Sequence, residues 1–193
     1  MRDLKTFRLV NKIETTMIYD SLIKLSPNIL HFFEKKDYRL YISLNELEAE
    51  SKFPLIFLIS KDQSILLEKV LKAVIVRSAG VYFGFIKKGN FFLSLEGLEF
   101  LFKSNLFSDL KRINVSDKGE KSILYGNNIL KNMIVKIPIN IKQKEILVVL
   151  NKFDEVIAIA QSKQEHQNIQ KLKPKELIAI NLNDKGYYLR KNQ

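Results

Sequence analysis

The segment Gly119-Glu-Lys-Ser-Ile-Leu-Tyr-Gly-Asn-Asn-Ile-Leu-Lys131 and the β-rich stretch after it constrain this chain most. Ser116 or Asp117 can cap a helix running through Leu124, and Gly126 can supply the left-handed residue that stops it. Ile129 to Ile137 then reads as extended. Ile146–Leu150 and Val156–Ala160 flank Asn151-Lys-Phe-Asp-Glu155 as one hairpin, and Leu177–Leu182 and Tyr187–Leu189 flank Asn183-Asp-Lys-Gly186 as another. With Arg112–Val115 before the helix, many short strands with frequent turns predict a small barrel or sandwich.

Upstream the pattern is mixed. Asn11 to Leu25 places Ile13, Met17, Ile18, Leu22 and Leu25 on one helical stripe, with Asn11 as a cap. Pro27 ends it. Tyr38–Ile42 and Leu55–Ile59 read as strands, and Ser43 with Glu46 as a capping-box start to a short helix. Asp62–Ala73 reads as a helix whose core face and edge carry Ile65, Leu66, Lys69, Val70 and Ala73. Val81–Ile86 and Phe91–Leu95 flank Lys87-Lys88-Gly89-Asn90, a strong hairpin signal, and Glu96–Phe102 follows as a helix. The fold class expected is α+β: an N-terminal antiparallel sheet with flanking helices over 1–108, then a small β-barrel over 109–193. The aromatics Phe83, Phe85, Phe91, Phe92, Phe100, Phe102 and Phe107 are assigned to the N-terminal core.

Charge separates the two parts. The formal net charge is +11. From residue 111 onward there are 16 Lys+Arg against 8 Asp+Glu, a surplus of 8, and the first 110 residues supply the other 3. A basic C-terminal part predicts a polyanionic partner. The absence of cysteine excludes disulfides, thiolate nucleophiles and Cys-ligated zinc. His31 and His166 lack ligand spacing, so no metal and no cofactor is expected. No carboxylate pair stands out for acid–base work and no Gly-rich nucleotide loop follows a strand, so no catalytic residue is assigned. No apolar run reaches a membrane span, and no secretory signal opens the chain. A cytoplasmic protein is expected, or a nucleolar or nuclear one if the source is eukaryotic. The Lys/Ile/Asn-rich composition leans archaeal.

The pattern from Gly119 to Lys131, with Glu145-Ile-Leu-Val-Val-Leu150, Val156-Ile-Ala-Ile-Ala-Gln-Ser162, Lys173-Pro-Lys-Glu-Leu-Ile-Ala-Ile180 and Gly186-Tyr-Tyr-Leu-Arg190, resembles a PUA domain, an RNA-binding module. Ser122 to Lys131 is similar to the Nip-seven family of large-ribosomal-subunit biogenesis factors. Gly80-Val-Tyr-Phe-Gly-Phe-Ile and Phe91-Phe-Leu-Ser-Leu-Glu-Gly-Leu-Glu-Phe-Leu101 resemble the end of that family's N-terminal domain. The resemblance implies a non-enzymatic factor for large-subunit biogenesis and pre-rRNA processing. Its PUA domain would hold single-stranded or pre-ribosomal RNA, and its N-terminal domain would dock other assembly proteins. Where the family often carries extra basic residues, the connection here is Lys163-Gln-Glu-His-Gln-Asn-Ile-Gln-Lys171, with Glu165 and no arginine. The rival readings are an accessory subunit of an RNA-modifying enzyme and a protein–protein adaptor.

The candidate RNA contacts follow from residue chemistry. Lys163, Lys171, Lys173 and Lys175 cluster between two strands, where ammonium groups can displace condensed counterions from phosphates. Gln164, Gln167 and Asn168 can hydrogen-bond phosphate or base edges. Lys121, Lys131 and Lys136 flank the helix–turn–strand, which the resemblance implies faces RNA, with Asn127 and Asn128 inside it. Arg190 is a candidate for phosphate or stacking. Tyr187 and Tyr188 are read as strand neighbours facing opposite sides.

Overall fold

The computed structural model describes residues 7–44, 53–106 and 112–190. The chain divides into two units, Met1–Phe107 and Ser108–Gln193.

In the first unit, five antiparallel strands lie in sequence order: β1 (Phe7–Leu9), β2 (Tyr38–Ser43), β3 (Leu55–Ser60), β4 (Val81–Lys87) and β5 (Asn90–Leu93). The β-branched and aromatic runs of β2 and β3 form its centre, with Ile42, Ile56 and Leu58 almost fully buried. The β4–β5 turn carries Lys88 at φ 49° and Gly89 at φ 75°, the double positive-φ turn that matches strand twist. Helix α1 (Lys12–Ile23) is capped as expected. The Glu14 N–H donates to Asn11 Oδ1 at 2.9 Å and the Asn11 N–H to Glu14 Oε2 at 2.7 Å. Arg8 grips the same carboxylate through two bonds of 2.9 and 2.7 Å. Ile18 and Leu22 are buried, but Ile13 stands exposed in the first turn.

Asn11→Ala should cost about 1 kcal/mol, read as a lower thermal midpoint. The Arg8 hydrogen bonds hold the Glu14 carboxyl below its ordinary value. A carboxylate with a lowered folded pKa stabilises fully above its unfolded value, and that contribution drains as pH falls through the folded one. Glu14→Gln should therefore lose less stability on acidification than the parent chain.

One helix here was not read from the sequence, and two expectations need correction. A second helix, α2 (Asn28–Lys36), follows Pro27 at once, burying Ile29 and Phe33. Proline ends one helix but is also tolerated at the start of the next, where its missing N–H is not needed. Helix α3 (Lys61–Val70) buries Ser64 and Leu67, whereas Ile65 and Leu66 are 51% and 64% exposed. Ser60 is both the last residue of β3 and the cap of α3, so the strand fixes the helix's rotation. Of the aromatics, Phe83 and Phe91 are core, but Phe92 is 45% exposed, and Phe107 lies outside the described residues. The helix expected after Ser43 lies outside them too. Helix α4 (Leu95–Lys103) starts at its Ser94 cap, whose Oγ accepts from the Gly97 N–H at 2.9 Å.

The second unit contains β6 (Arg112–Val115), α5 (Asp117–Leu124), β7 (Ile129–Leu130), a 3-10 turn (Lys131–Met133), β8 (Ile134–Lys136), β9 (Ile146–Leu150), β10 (Val156–Ser162), α6 (His166–Ile169), β11 (Leu177–Asp184) and α7 (Tyr187–Arg190). Strand order is β7-β11-β10-β9-β6-β8, with β6 parallel to β9 and the other pairs antiparallel. The two outer strands, β7 and β8, are joined by only the 3-10 turn, so the sheet curls into a nearly closed barrel. Ile113, Val115, Ile123, Leu147, Val149 and Ile178 fill it. The stretch 129–137 is thus not one extended strand. Its N-terminal end pairs with β11 and its C-terminal end with β6, and the 3-10 turn is the corner between them.

The hairpin expected across Asn183-Asp-Lys-Gly186 is also overturned. β11 runs on through Asn183 to Asp184, and the chain then turns into α7 rather than into a strand. The Leu189 and Arg190 N–H groups both donate to Gly186 O at 3.1 Å. Tyr187 therefore sits on a helical turn. Among the described residues no helix is long and apolar enough to cross a membrane.

Candidate nucleic-acid interface

β10 ends at buried Ser162, and the chain that follows is laced to the chain entering β9. The Ser162 N–H donates to Glu145 O and the Lys144 N–H to Ser162 O, both at 2.8 Å. The His166 N–H reaches Ile141 O at 3.0 Å, and Gln143 Nε2 reaches Lys163 O at 3.2 Å. These bonds bring Lys142 and Lys144 to the same corner as Lys163. Neither was a sequence candidate, because both lie in the segment leading into β9, about twenty residues before Lys163. The only signal for them was the charge of the segment.

The connection then makes the single turn α6. Ile169 is buried and Leu172 packs on the barrel core, so the loop is anchored by two apolar side chains. Between and after these anchors Lys171, Lys173 and Lys175 are exposed. The Lys173 N–H donates to Glu176 Oε2 at 2.7 Å, and the Asn132 N–H to Pro174 O at 2.9 Å, which ties the loop to the 3-10 turn. Lys142, Lys144, Lys163, Lys171, Lys173 and Lys175 thus belong to one laced set of segments. Among the described residues none of these six ammonium groups has a hydrogen-bond or ion-pair partner. Glu145, Glu165 and Glu176 are the carboxylates interspersed with them. Six cations against three anions on exposed backbone corners give a surface that favours a flexible polyanion over a small ligand.

The other sequence candidates divide. Gln167 is exposed on α6 beside the lysines. Gln164 is half-buried, its Nε2 3.5 Å from Leu177 O. Lys121 is exposed on α5, with no hydrogen bond joining it to the loop among the described residues. Lys131 is not free: its Nζ donates to Gln170 O at 2.7 Å and to Leu172 O at 2.6 Å.

Arg190 turns inward. It makes two parallel bonds to the buried Asp184 carboxylate, at 2.9 and 3.0 Å, and also donates to Leu124 O. The Asp184 bonds raise its already high pKa. Arg190 therefore fastens α7 to the end of α5, and a phosphate would have to displace a bidentate partner to reach it. Asp184, six residues earlier, was the unread signal for this pairing. Asn128 accepts the Asn181 N–H at 3.1 Å, and Asn127 Nδ2 donates to Ser122 Oγ at 3.2 Å, so the Asn pair builds the turn after α5. Gly126 is the left-handed stop, at φ 89°.

Residues 111–193 match the model of the UPF0113 PUA domain. The C-terminal unit is a PUA-type barrel similar to that family's domain. The wider resemblance read from the sequence is also found. The chain is 27% identical over 168 residues to a UPF0113 protein of Archaeoglobus fulgidus, covering 87% of this chain and 90% of that one. It is 26% identical over 187 residues to the 60S ribosome subunit biogenesis protein NIP7 homolog of Dictyostelium discoideum, covering 95% and 97%. A conserved PUA domain protein from Thermoplasma acidophilum has the same fold, with a TM-score of 0.63 over 96% of this chain and 98% of its own, at 13% identity. Within this PUA-type unit the lysine-rich corner is a β9-entry and β10–β11 feature.

Proposed function

We propose that this protein is a non-enzymatic RNA-binding factor in biogenesis of the large ribosomal subunit. Its PUA domain, residues 109–193, holds single-stranded pre-ribosomal RNA during processing. Its N-terminal domain, residues 1–108, docks other assembly proteins. The observation that carries the reading is the set of six lysines, without a hydrogen-bond or ion-pair partner among the described residues, on laced segments of the PUA-type unit. Phosphate contacts by Lys142, Lys144, Lys163, Lys171, Lys173 and Lys175 set register on the strand, and Gln167 adds a polar contact beside them. Lys121 adds a further contact from α5. Support for the ribosomal context comes from relatives named for 60S biogenesis, one of which aligns over 95% of this chain. The protein works in the cytoplasm, or in the nucleolus of a eukaryotic source.

Ultraviolet crosslinking in the source cells, followed by sequencing of the attached RNA, tests this. Enrichment of large-subunit precursor rRNA, with the protein sedimenting among large-subunit precursors, is the expected result. Crosslinks spread over unrelated transcripts, or none, would refute it.

A further inference from the structure

The side chain of Lys131 crosses from the barrel's 3-10 corner to the basic loop and ends between two carbonyls, Gln170 O and Leu172 O. These carbonyls bracket Lys171. They follow α6, a single helical turn too short to satisfy the acceptors that come after it, and a cation there meets the groups a short helix leaves unpaired. The two bonds are short and charge-assisted, and Leu172 is itself held on the core. The backbone on the same side adds the Lys131 N–H to Glu176 O at 3.0 Å and the Asn132 N–H to Pro174 O at 2.9 Å. Both bonds of the Lys131 ammonium and its backbone N–H thus act on the loop that carries Lys171, Lys173 and Lys175.

We infer that Lys131 is a positioning residue: it clamps the 170–172 backbone so that the neighbouring lysines meet RNA already ordered, and it makes no phosphate contact itself. The inference rests on the RNA-binding reading above. A binding loop ordered in advance avoids the entropy of ordering it on the nucleic acid, so the clamp raises affinity without adding an ionic contact. That distinguishes it from Lys163. Loss of a phosphate contact lowers affinity and also flattens the log–log salt dependence by about 0.7 per single-strand contact. Loss of a clamp lowers affinity at every salt concentration and leaves the slope where it was.

The experiment uses the full chain with Lys131→Met and Lys131→Arg, and Lys163→Met as the ionic control. It has two readouts. The first is affinity for a U-rich single strand across a salt series. The second is hydrogen exchange without RNA at the Ile169, Lys171 and Leu172 amides, which donate within the loop to Glu165 O, Asn168 O and Ile169 O. Lys131→Met keeps the apolar stem and should weaken binding about fivefold with an unchanged slope, the ordering cost of roughly one long side chain in the loop. The loop amides should exchange faster while β9 and β10 amides stay protected, which shows that the barrel is folded. Lys131→Arg, which can reach both carbonyls, should restore protection and most of the affinity. A slope lower by about 0.7 with loop protection intact would overturn the proposal and make Lys131 a phosphate contact. Unchanged affinity with unchanged exchange would overturn it as well. If the parent chain fails to bind RNA, the positioning role falls with the RNA reading, while exchange in Lys131→Met still decides whether the clamp exists.

Discussion

Replacing Lys163, Lys171 and Lys173 together with alanine lowers RNA affinity and flattens its salt dependence. Each ammonium bound to a single-strand phosphate releases counterions and contributes about −0.7 to the slope of log affinity against log salt, so three contribute roughly −2. The effect at low salt is correspondingly the largest single loss expected for the protein. The fold should tolerate the change. Lys171 and Lys173 are exposed and Lys163 half-buried, and among the described residues their ammonium groups have no partner to leave behind. The loop's own anchors, Ile169 and Leu172, are untouched. Binding measured at four or five salt concentrations for both chains checks this. Retained affinity and slope would remove the β10–β11 connection from the interface.

Gly186→Ala should be the most damaging small substitution in the PUA domain. A Cβ at this position would lie 1.8 Å from Leu124 O and 2.7 Å from Leu124 C, both backbone atoms at the end of α5. Neither can retreat without moving the helix. The alternative is for α7 to lift away, which pulls Arg190 from Leu124 O and from the buried Asp184 carboxylate. Overpacking against rigid backbone costs about 1–3 kcal/mol, and this site should fall at the upper end. The comparison is Gly89→Ala in the β4–β5 turn. Nothing lies within 4 Å of a Cβ there, so only the positive φ of 75° is charged against it, about 1 kcal/mol. Urea midpoints should rank the parent chain above Gly89→Ala and Gly89→Ala above Gly186→Ala, with faster exchange in Gly186→Ala confined to PUA-domain amides. Equal midpoints for the two variants would contradict the close α5–α7 approach.

Local signals carried most of the fold. Asn11 with Glu14, Ser94, Ser116, the Lys88-Gly89 turn and Gly126 act within a few residues of themselves, and each does in the structure what its chemistry implies. The failures come where long-range geometry decides. Asn183-Asp-Lys-Gly186 has the composition of a hairpin turn. Yet Asp184 is the buried partner of Arg190, and Gly186 is required by the approach of Leu124, two facts that only the closed barrel creates. The 129–137 stretch has strand composition throughout, but one strand cannot pair with β11 and β6 without a corner. In α3 the sequence offers Ile65 and Leu66 as core, and the strand before it points Ser64 and Leu67 inward instead.

The candidate interface was half legible. A run of lysines between two strands is visible in the chain, and Lys163, Lys171, Lys173 and Lys175 stand where that run puts them, exposed or half-buried beside the barrel. Pairing that depends on tertiary contact was not visible. Lys131 and Arg190 look like surface cations in a sequence but spend their donors on Gln170, Leu172, Leu124 and Asp184. Lys142 and Lys144 look like part of a separate loop, and the Lys144–Ser162 and Gln143–Lys163 bonds carry them to the same corner.

The central claim is that the PUA domain holds single-stranded RNA through this lysine corner. The most direct measurement is binding of the intact chain to a U-rich single strand and to a matched duplex over a salt series. The account predicts micromolar or tighter binding to the single strand, falling steeply with salt and clearly preferred over the duplex. Negligible binding to both at moderate salt would contradict it, reducing the +11 charge to a matter of solubility and leaving a protein–protein adaptor as the better description.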